Sequence, residues 1–307
     1  MKKCTATGEK MKVLVTGANG QLGWDMILEL KKRGHKPVAT DILDSFEQDC
    51  EYIKLDITDE KDVHDVLTKT KPDAVVHCAA WTAVDDAEDE ENKPKVYAIN
   101  VLGTKYIAEA CKEADCKMIY ISTDYVFSGE GTESWEPDCE DFAPLNYYGE
   151  TKLEGEFAVK NALEKYYIVR TSWVFGAHGN NFVKTMLRLA ETHKEVCVVN
   201  DQIGTPTYTP DLARLLVDMR ETDKYGVYHA TNEGGYISWA EFAEKIFRMA
   251  GKDTKVIPVT TEEYGISKAK RPKNSRMGKS KIEFSGLKSL ESINTALLNF
   301  MSLNDIC

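Results

Sequence analysis

A glycine-punctuated turn between a short apolar strand and a helix is the feature that constrains this chain most. Residues 13–23 read VLVTGANGQLG, which puts Gly17, Gly20 and Gly23 at the end of one element and the start of the next. Gly17 permits a tight turn, Gly20 lets backbone approach a diphosphate, and Gly23 allows close helix packing. The helix N-terminus then offers free N–H groups and a positive dipole end to the phosphates. A glycine triplet alone is a weak signal, but Asp41 closes the second strand about twenty residues on, where a carboxylate binds a ribose 2′-hydroxyl. Together they predict a dinucleotide site. Asp41 would repel a 2′-phosphate, and no Lys or Arg stands between it and Lys54. NADH is therefore expected to be favoured over NADPH.

Downstream the pattern keeps alternating. Strands are expected at KVLVTG, HKPVATD, EYIKLD, DAVVHCAA and KMIYIST, separated by helices at LGWDMILELKKRG, TDEKDVHDVLTKT and KVYAINVLGTKYIAEACKEA. Short strands divided by helices of ten or more residues read as βαβ units, hence an α/β fold with a doubly wound parallel sheet. The second half alternates less regularly: a helix at TKLEGEFAVKNAL, a single strand YYIVRTSWVFG, then further elements up to a Pro- and Lys-bearing loop at 258–281. The expected organisation is a dinucleotide-binding domain over 11–173 and a smaller, mainly substrate-binding region over 174–307, some of whose segments return to the sheet. Residues 1–10 are polar and aperiodic and are expected to be a mobile leader, with Met11 a candidate start.

Charge and hydropathy exclude several function classes. With 39 Lys+Arg against 50 Asp+Glu the formal charge is −11, so no general attraction to nucleic acid or to an anionic membrane is expected. No stretch reaches the roughly 18 to 20 apolar residues of a bilayer span, and a cytoplasmic location is expected. The eight cysteines form no CxxC pair and no zinc spacing with histidine; they read as reduced thiols. The acidic run Asp85–Glu91 reads as a solvated loop or helix start. No metal is expected.

Asp56 and Ile57, at the end of the third strand, are placed beside the adenine, with Asp59 the natural cap of the following helix. Ala79, Ala80, Trp81 and Thr82, at the end of the fourth, would run along the cofactor; the alanines serve a core equally well. After KMIYI come Ser122, Thr123 and Asp124, and 25 residues past Thr123 stands Tyr148-Gly149-Glu150-Thr151-Lys152. A Tyr and a Lys four apart share a helix face. The ammonium, with the positive charge of the nicotinamide, is expected to lower the phenol pKa and make Tyr148 a general acid or base, with Thr123 or Ser122 polarising the carbonyl that receives a hydride.

With these strings the chain resembles the extended short-chain dehydrogenase/reductases, and among them the family of dTDP-4-dehydrorhamnose reductases. TGANGQLGW, AAWTAVDDAE, STDYVFSG, PLNYYGETKLEGE, RTSWVFG, GNNFVKTMLRLA, VVNDQIGTPT and RPKNSRM carry the likeness from Met11 to Met277. The resemblance implies reduction of the C4 ketone of dTDP-4-dehydro-6-deoxy-L-mannose to dTDP-L-rhamnose by NADH or NADPH. In it Tyr148 is the proton donor, Lys152 holds the nicotinamide ribose, and Thr123 takes the superfamily's serine role. It adds Gln21 and Leu22 to the cofactor residues, and Asn100 as a structural asparagine for which an ordinary helix position is the alternative. Thr123, Asp124 and Trp173 are implied for the sugar, with core packing the alternative for Trp173. Asn181, Thr207 and Arg276 are implied for the nucleoside diphosphate, Arg276 lying in a basic loop with Lys270, Arg271 and Lys273. Asp25 matches a position where some members carry a glutamate of a magnesium site, and a homodimer is carried as a candidate assembly. Two rival readings stand beside this one: another nucleotide-sugar reductase or epimerase of the extended family, and a binding module similar to the regulatory subunit of methionine adenosyltransferase.

Overall fold

A computed structural model describes residues 10–265 and 267–304; the expected leader lies almost wholly outside the described residues. Seven strands form the central sheet: β1 (Lys12–Thr16), β2 (Lys36–Asp41), β3 (Glu51–Lys54), β4 (Ala74–His77), β5 (Lys117–Thr123), β6 (Tyr166–Thr171) and, from late in the chain, Gly226–His229. All pairings are parallel, in the order Gly226–His229, β6, β5, β4, β1, β2, β3. The inner strands are apolar on both faces, as a sheet covered by helices on both sides requires.

Helices α1 (Gln21–Lys32), α2 (Glu60–Thr70), α3 (Lys93–Tyr97), α4 (Thr104–Glu113) and α5 (Tyr147–Ala162) make the crossovers. A single π-turn segment, Ala98–Gly103, joins α3 to α4, so the long helix expected there is continuous but locally widened. Asp59 caps α2 by accepting from the Asp62 N–H at 3.0 Å. One core, from Val13, Val15, Met26, Leu30, Leu212 and Leu216, lies under α1 and α7 (Thr209–Arg220). The other, from Leu14, Val63, Leu67, Ile107, Met118 and Val159, lies under α2, α4 and α5.

The predicted strand YYIVRTSWVFG is two pieces. β6 ends at Thr171, Trp173 turns the chain at φ 51°, and β7 (Val174–Phe175) pairs instead with β10 (Thr207–Tyr208). The string is β-prone throughout, so periodicity could not reveal the break. Beyond it a second layer forms from α6 (Phe182–Leu189), β8 (Glu195–Val199), β9 (Ile203–Gly204), α8 (Trp239–Met249) and α11 (Ile293–Leu303) around Val183, Phe242, Ile246, Leu297 and Phe300. With the sheet strand Gly226–His229 numbered β11, β12 (Ile237–Ser238) pairs antiparallel with β9 and β13 (Lys255–Val259) pairs parallel with β8. The loop expected over 258–281 thus begins inside β13, contains the one-turn helix α9 (Thr261–Tyr264) and ends inside α10 (Ser280–Phe284). α7, β11 and α10 return to the main sheet although they lie past residue 174. No described helix is long and apolar enough to cross a membrane.

Candidate active site

The sheet order reverses direction at β1, whose neighbours are β2 and β4, and ligands of open α/β sheets bind outside the strand carboxyl ends at that point. A cavity of about 610 Å³ opens there. One end is the glycine turn. Gly17 sits at φ 64°, and a Cβ on it would come within 2.7 Å of the Ala79 backbone nitrogen; a Cβ on Gly23 would lie 2.1 Å from the Gly17 carbonyl oxygen. Gly20 is the N-cap of α1 and gives no side-chain cap, and the first turn holds no acidic residue, so the leading N–H groups of α1 face the cavity mouth without a competing anion. These features fit a dinucleotide diphosphate.

Gly17, Gly20, Gln21, Leu22, Gly23, Asp41, Asp56, Ile57, Ala79, Ala80 and Thr82 all line the cavity. The Asp41 carboxylate accepts from the Asn19 N–H at 3.0 Å and the Leu43 N–H at 3.3 Å, which fixes it at the end of β2. Lys54 is its register partner on β3, and its ammonium bonds Asp44 at 2.6 Å. Trp81 does not line the cavity; its indole N–H donates to the Ala83 carbonyl. Asn100 is buried outside it as a brace. It accepts from the Trp81 N–H at 2.8 Å and donates to the Thr151 hydroxyl at 3.0 Å, tying the β4 loop to α5.

The other end of the cavity carries Thr123, Asp124, Tyr148, Lys152 and Trp173. Asn146 caps α5 by accepting from the Gly149 N–H at 2.8 Å, which sets Tyr148 in the first turn and Lys152 one turn on. In the chain by itself the Tyr148 phenol is shifted upward. Loss of solvent around the phenol raises its pKa, a hydrogen bond with Thr123 pulls it back in part, and Asp124 adds to the rise. Tyr148 is therefore a neutral phenol with its proton in place. Lys152 is buried, its ammonium 4.2 Å from the Tyr120 ring centroid, and burial pushes its pKa down to about 7 against the pull of Glu156. Asp124 is 2% exposed, one of its oxygens has no partner, and burial raises its carboxyl to about 6.

Ser122, the alternative to Thr123, is committed elsewhere, since its hydroxyl donates to Glu156 at 2.6 Å. Trp173 stacks on Trp239, the first residue of α8, with centroids 3.8 Å apart, and both line the cavity. Trp239 was missed; its Ser238–Glu241 capping box is legible, but nothing local couples it to Trp173. Asn181, Thr207 and Arg276 do not line the cavity. Asn181 caps α6 and donates to Gln21 at 3.0 Å, Thr207 is buried on the Ser172 carbonyl, and Arg276 bonds Asn274. The acidic run is not a merely solvated loop: Asp85 pairs with Arg271 at 2.8 Å, Asp89 with Lys268 at 2.9 Å, and Glu88 accepts from the Tyr147 N–H. Sequence-distant cations reach it because 268–271 folds back over the start of α5. Asp25 is buried and accepts from the Thr209 hydroxyl at 2.5 Å.

Comparison with known proteins matches residues 11–304 to the family described as RmlD substrate binding domain. The chain is 40% identical to the spore coat polysaccharide biosynthesis protein SpsK of Bacillus subtilis, over 90% of this chain and 92% of that one. It is 39% identical to a dTDP-4-dehydrorhamnose reductase of Aggregatibacter actinomycetemcomitans, over 89% and 92%. The crystal structure of a dTDP-4-dehydrorhamnose reductase from Bacillus anthracis in complex with NADP superposes with a TM-score of 0.88 at 40% identity, covering 96% of this chain and 100% of that one.

Proposed function

The chain belongs to the RmlD substrate binding domain family, and from that premise we propose that it is a nicotinamide-dependent reductase converting dTDP-4-dehydro-6-deoxy-L-mannose to dTDP-L-rhamnose. The observation that carries the reading is the meeting of Thr123, Tyr148 and Lys152 at the far end of a cavity that begins at the glycine turn. In this reading 11–173 binds the cofactor and 174–307 supplies much of the sugar-nucleotide side.

A nicotinamide cofactor bound there would supply a hydride to C4. The Tyr148 hydroxyl donates its proton to the C4 oxygen as negative charge develops there, so ketone, hydride and proton together give the alcohol. A phenol, with an ordinary pKa of about 10, carries that proton at neutral pH, and burial does not take it off. The Thr123 hydroxyl hydrogen-bonds the same oxygen. Lys152, when charged, holds the ribose hydroxyls and stabilises the phenolate left on Tyr148. Gly17, Gly20 and Gly23 with the start of α1 take the diphosphate, and Asp41 the adenosine ribose. A panel of dTDP-, UDP- and GDP-linked 4-keto sugars tests the substrate: the dTDP sugar is expected to have the highest kcat/KM, and a preferred UDP or GDP sugar overturns the assignment.

Two further outcomes follow from this assignment. Asp41 is fixed at the cavity end of β2, where this reading puts the adenosine ribose, and Lys54 is held by Asp44, so NADH should show the higher kcat/KM, with NADPH still used. Asp41→Ala should narrow or reverse that gap; a wild-type protein that strongly prefers NADPH contradicts this role for Asp41. Trp173→Ala removes one ring of the stacked pair that lines the cavity. It should raise KM for the sugar nucleotide and leave NADH affinity near wild type, whereas loss of cofactor binding or of the fold would make Trp173 a packing residue.

A further inference from the structure

One turn past Lys152 on α5 lies a cluster that the reaction does not touch. Tyr148, Lys152 and Glu156 follow one another at four-residue spacing along one face of the helix. Glu156 is fully buried, as is Arg170 on β6. The two make a two-pronged pair: Arg170 Nε donates to Oε1 at 2.8 Å and Nη2 to Oε2 at 2.7 Å. The Ser122 hydroxyl, on β5 beside Thr123, adds a third donor. Arg170 continues to His229 on β11 at 3.3 Å and lies over the rings of Phe127 and Phe142. Each carboxylate oxygen is thus satisfied, and α5 is fastened to β5, β6 and β11 one turn beyond Lys152.

The groups that bear on Lys152 come from three elements. His77 and Cys78 lie at the end of β4, Tyr120 on β5, and Glu156 on α5 itself. Three of them are neutral at pH 7, and burial keeps them so: His77 is pushed down to about 3, Cys78 up to about 12, and the Tyr120 phenol well up. Glu156, held by a guanidinium and a hydroxyl, is the charged member of this set. A buried ammonium without an anion gives up its proton.

We propose that Glu156, anchored by Arg170 and Ser122, is a positioning residue for the reductase centre, fixing α5 against the sheet and serving as the buried counter-charge that keeps Lys152 an ammonium. This rests on the role assigned to Lys152 above. It predicts that the ammonium works up to a higher pH than Lys152 alone would allow. Glu156→Gln preserves shape and removes the charge; Glu156→Met with Arg170→Met removes both charges and leaves no unpaired ion, an exchange that buried ion pairs often tolerate.

The test is NADH binding followed by fluorescence from pH 5.5 to 9, in wild type, Lys152→Met and the two Glu156 variants, with the pH profile of kcat/KM alongside (roughly the range in which a lysine near 7 titrates). In wild type, affinity should fall as pH rises through the Lys152 pKa. In Glu156→Gln the fall should move to lower pH by on the order of one unit, about tenfold in the ammonium equilibrium, and the double variant should move the same way. If Glu156→Gln does not fold, the double variant decides. A wild-type midpoint in the folded Glu156 variants, with the pH dependence lost in Lys152→Met, makes the cluster a structural brace and overturns the proposal. A Lys152→Met protein with wild-type affinity and pH dependence instead overturns the role of Lys152 itself, and the positioning role falls with it.

Discussion

Replacing Tyr148 with phenylalanine is expected to lower kcat by about 10²- to 10⁴-fold, the usual contribution of a positioned general acid. The ring stays, and with it the edge-on contact to Tyr125 at 5.7 Å between centroids, so NADH binding and the unfolding midpoint should change little. What is lost is the proton, which the water-poor surroundings of Tyr148 keep on the phenol at neutral pH. Lys152→Met should lose activity and also weaken cofactor binding. Thr123→Val should cost less, about 1 to 3 kcal/mol, as one lost hydrogen bond to a charging oxygen does. The order follows from proton transfer being harder to replace than one polarising contact. A Tyr148→Phe protein that turns over at the wild-type rate would remove Tyr148 from the mechanism and return the chain to the class of binding modules.

The second large effect is on stability. Arg170→Leu leaves the Glu156 carboxylate buried without the guanidinium that pairs with it, and breaking a buried pair in this way costs about 3 to 5 kcal/mol. Urea unfolding should show a correspondingly lower midpoint. Exchanging both partners for methionine should recover most of the loss, because the cost lies in the uncompensated charge rather than in the missing contact. A wild-type midpoint for Arg170→Leu would mean that the guanidinium contributes nothing net where it sits.

Much of the fold was legible because its strands are short apolar runs between helices: VLVT, AVVH and MIYI can be buried on both faces only in a sheet covered on both sides. The glycine turn and Asp41 were legible for the same local reason, since turn chemistry and ribose recognition are fixed by residues close in sequence. Long-range pairing was not. Glu156 in KLEGEFAV looks like any helix-surface glutamate, and only Arg170 on the adjoining strand makes it a core residue. Asp85 and Arg271 lie far apart in the chain, so the acidic run read as solvated when it is a latch over the start of α5. The turn at Trp173 stayed hidden because RTSWVF is β-prone on both sides of a residue at positive φ. The upward pull on the phenol was not legible, because loss of solvent around Tyr148 is a property of the packed cavity rather than of the YxxxK spacing.

The central claim is a reduction at C4 of a dTDP-linked 4-keto sugar, and one measurement bears on it most directly. The protein is incubated with enzymatically made dTDP-4-dehydro-6-deoxy-L-mannose and NADH deuterated at the transferring position, and the sugar nucleotide is then analysed by mass spectrometry and NMR. The account predicts one NADH oxidised per sugar consumed and a product identical to dTDP-L-rhamnose that carries a single deuterium at C4, the other added hydrogen coming from solvent through Tyr148. Unchanged sugar with unoxidised cofactor, or a deuterium-free product epimerised at another carbon, would contradict it.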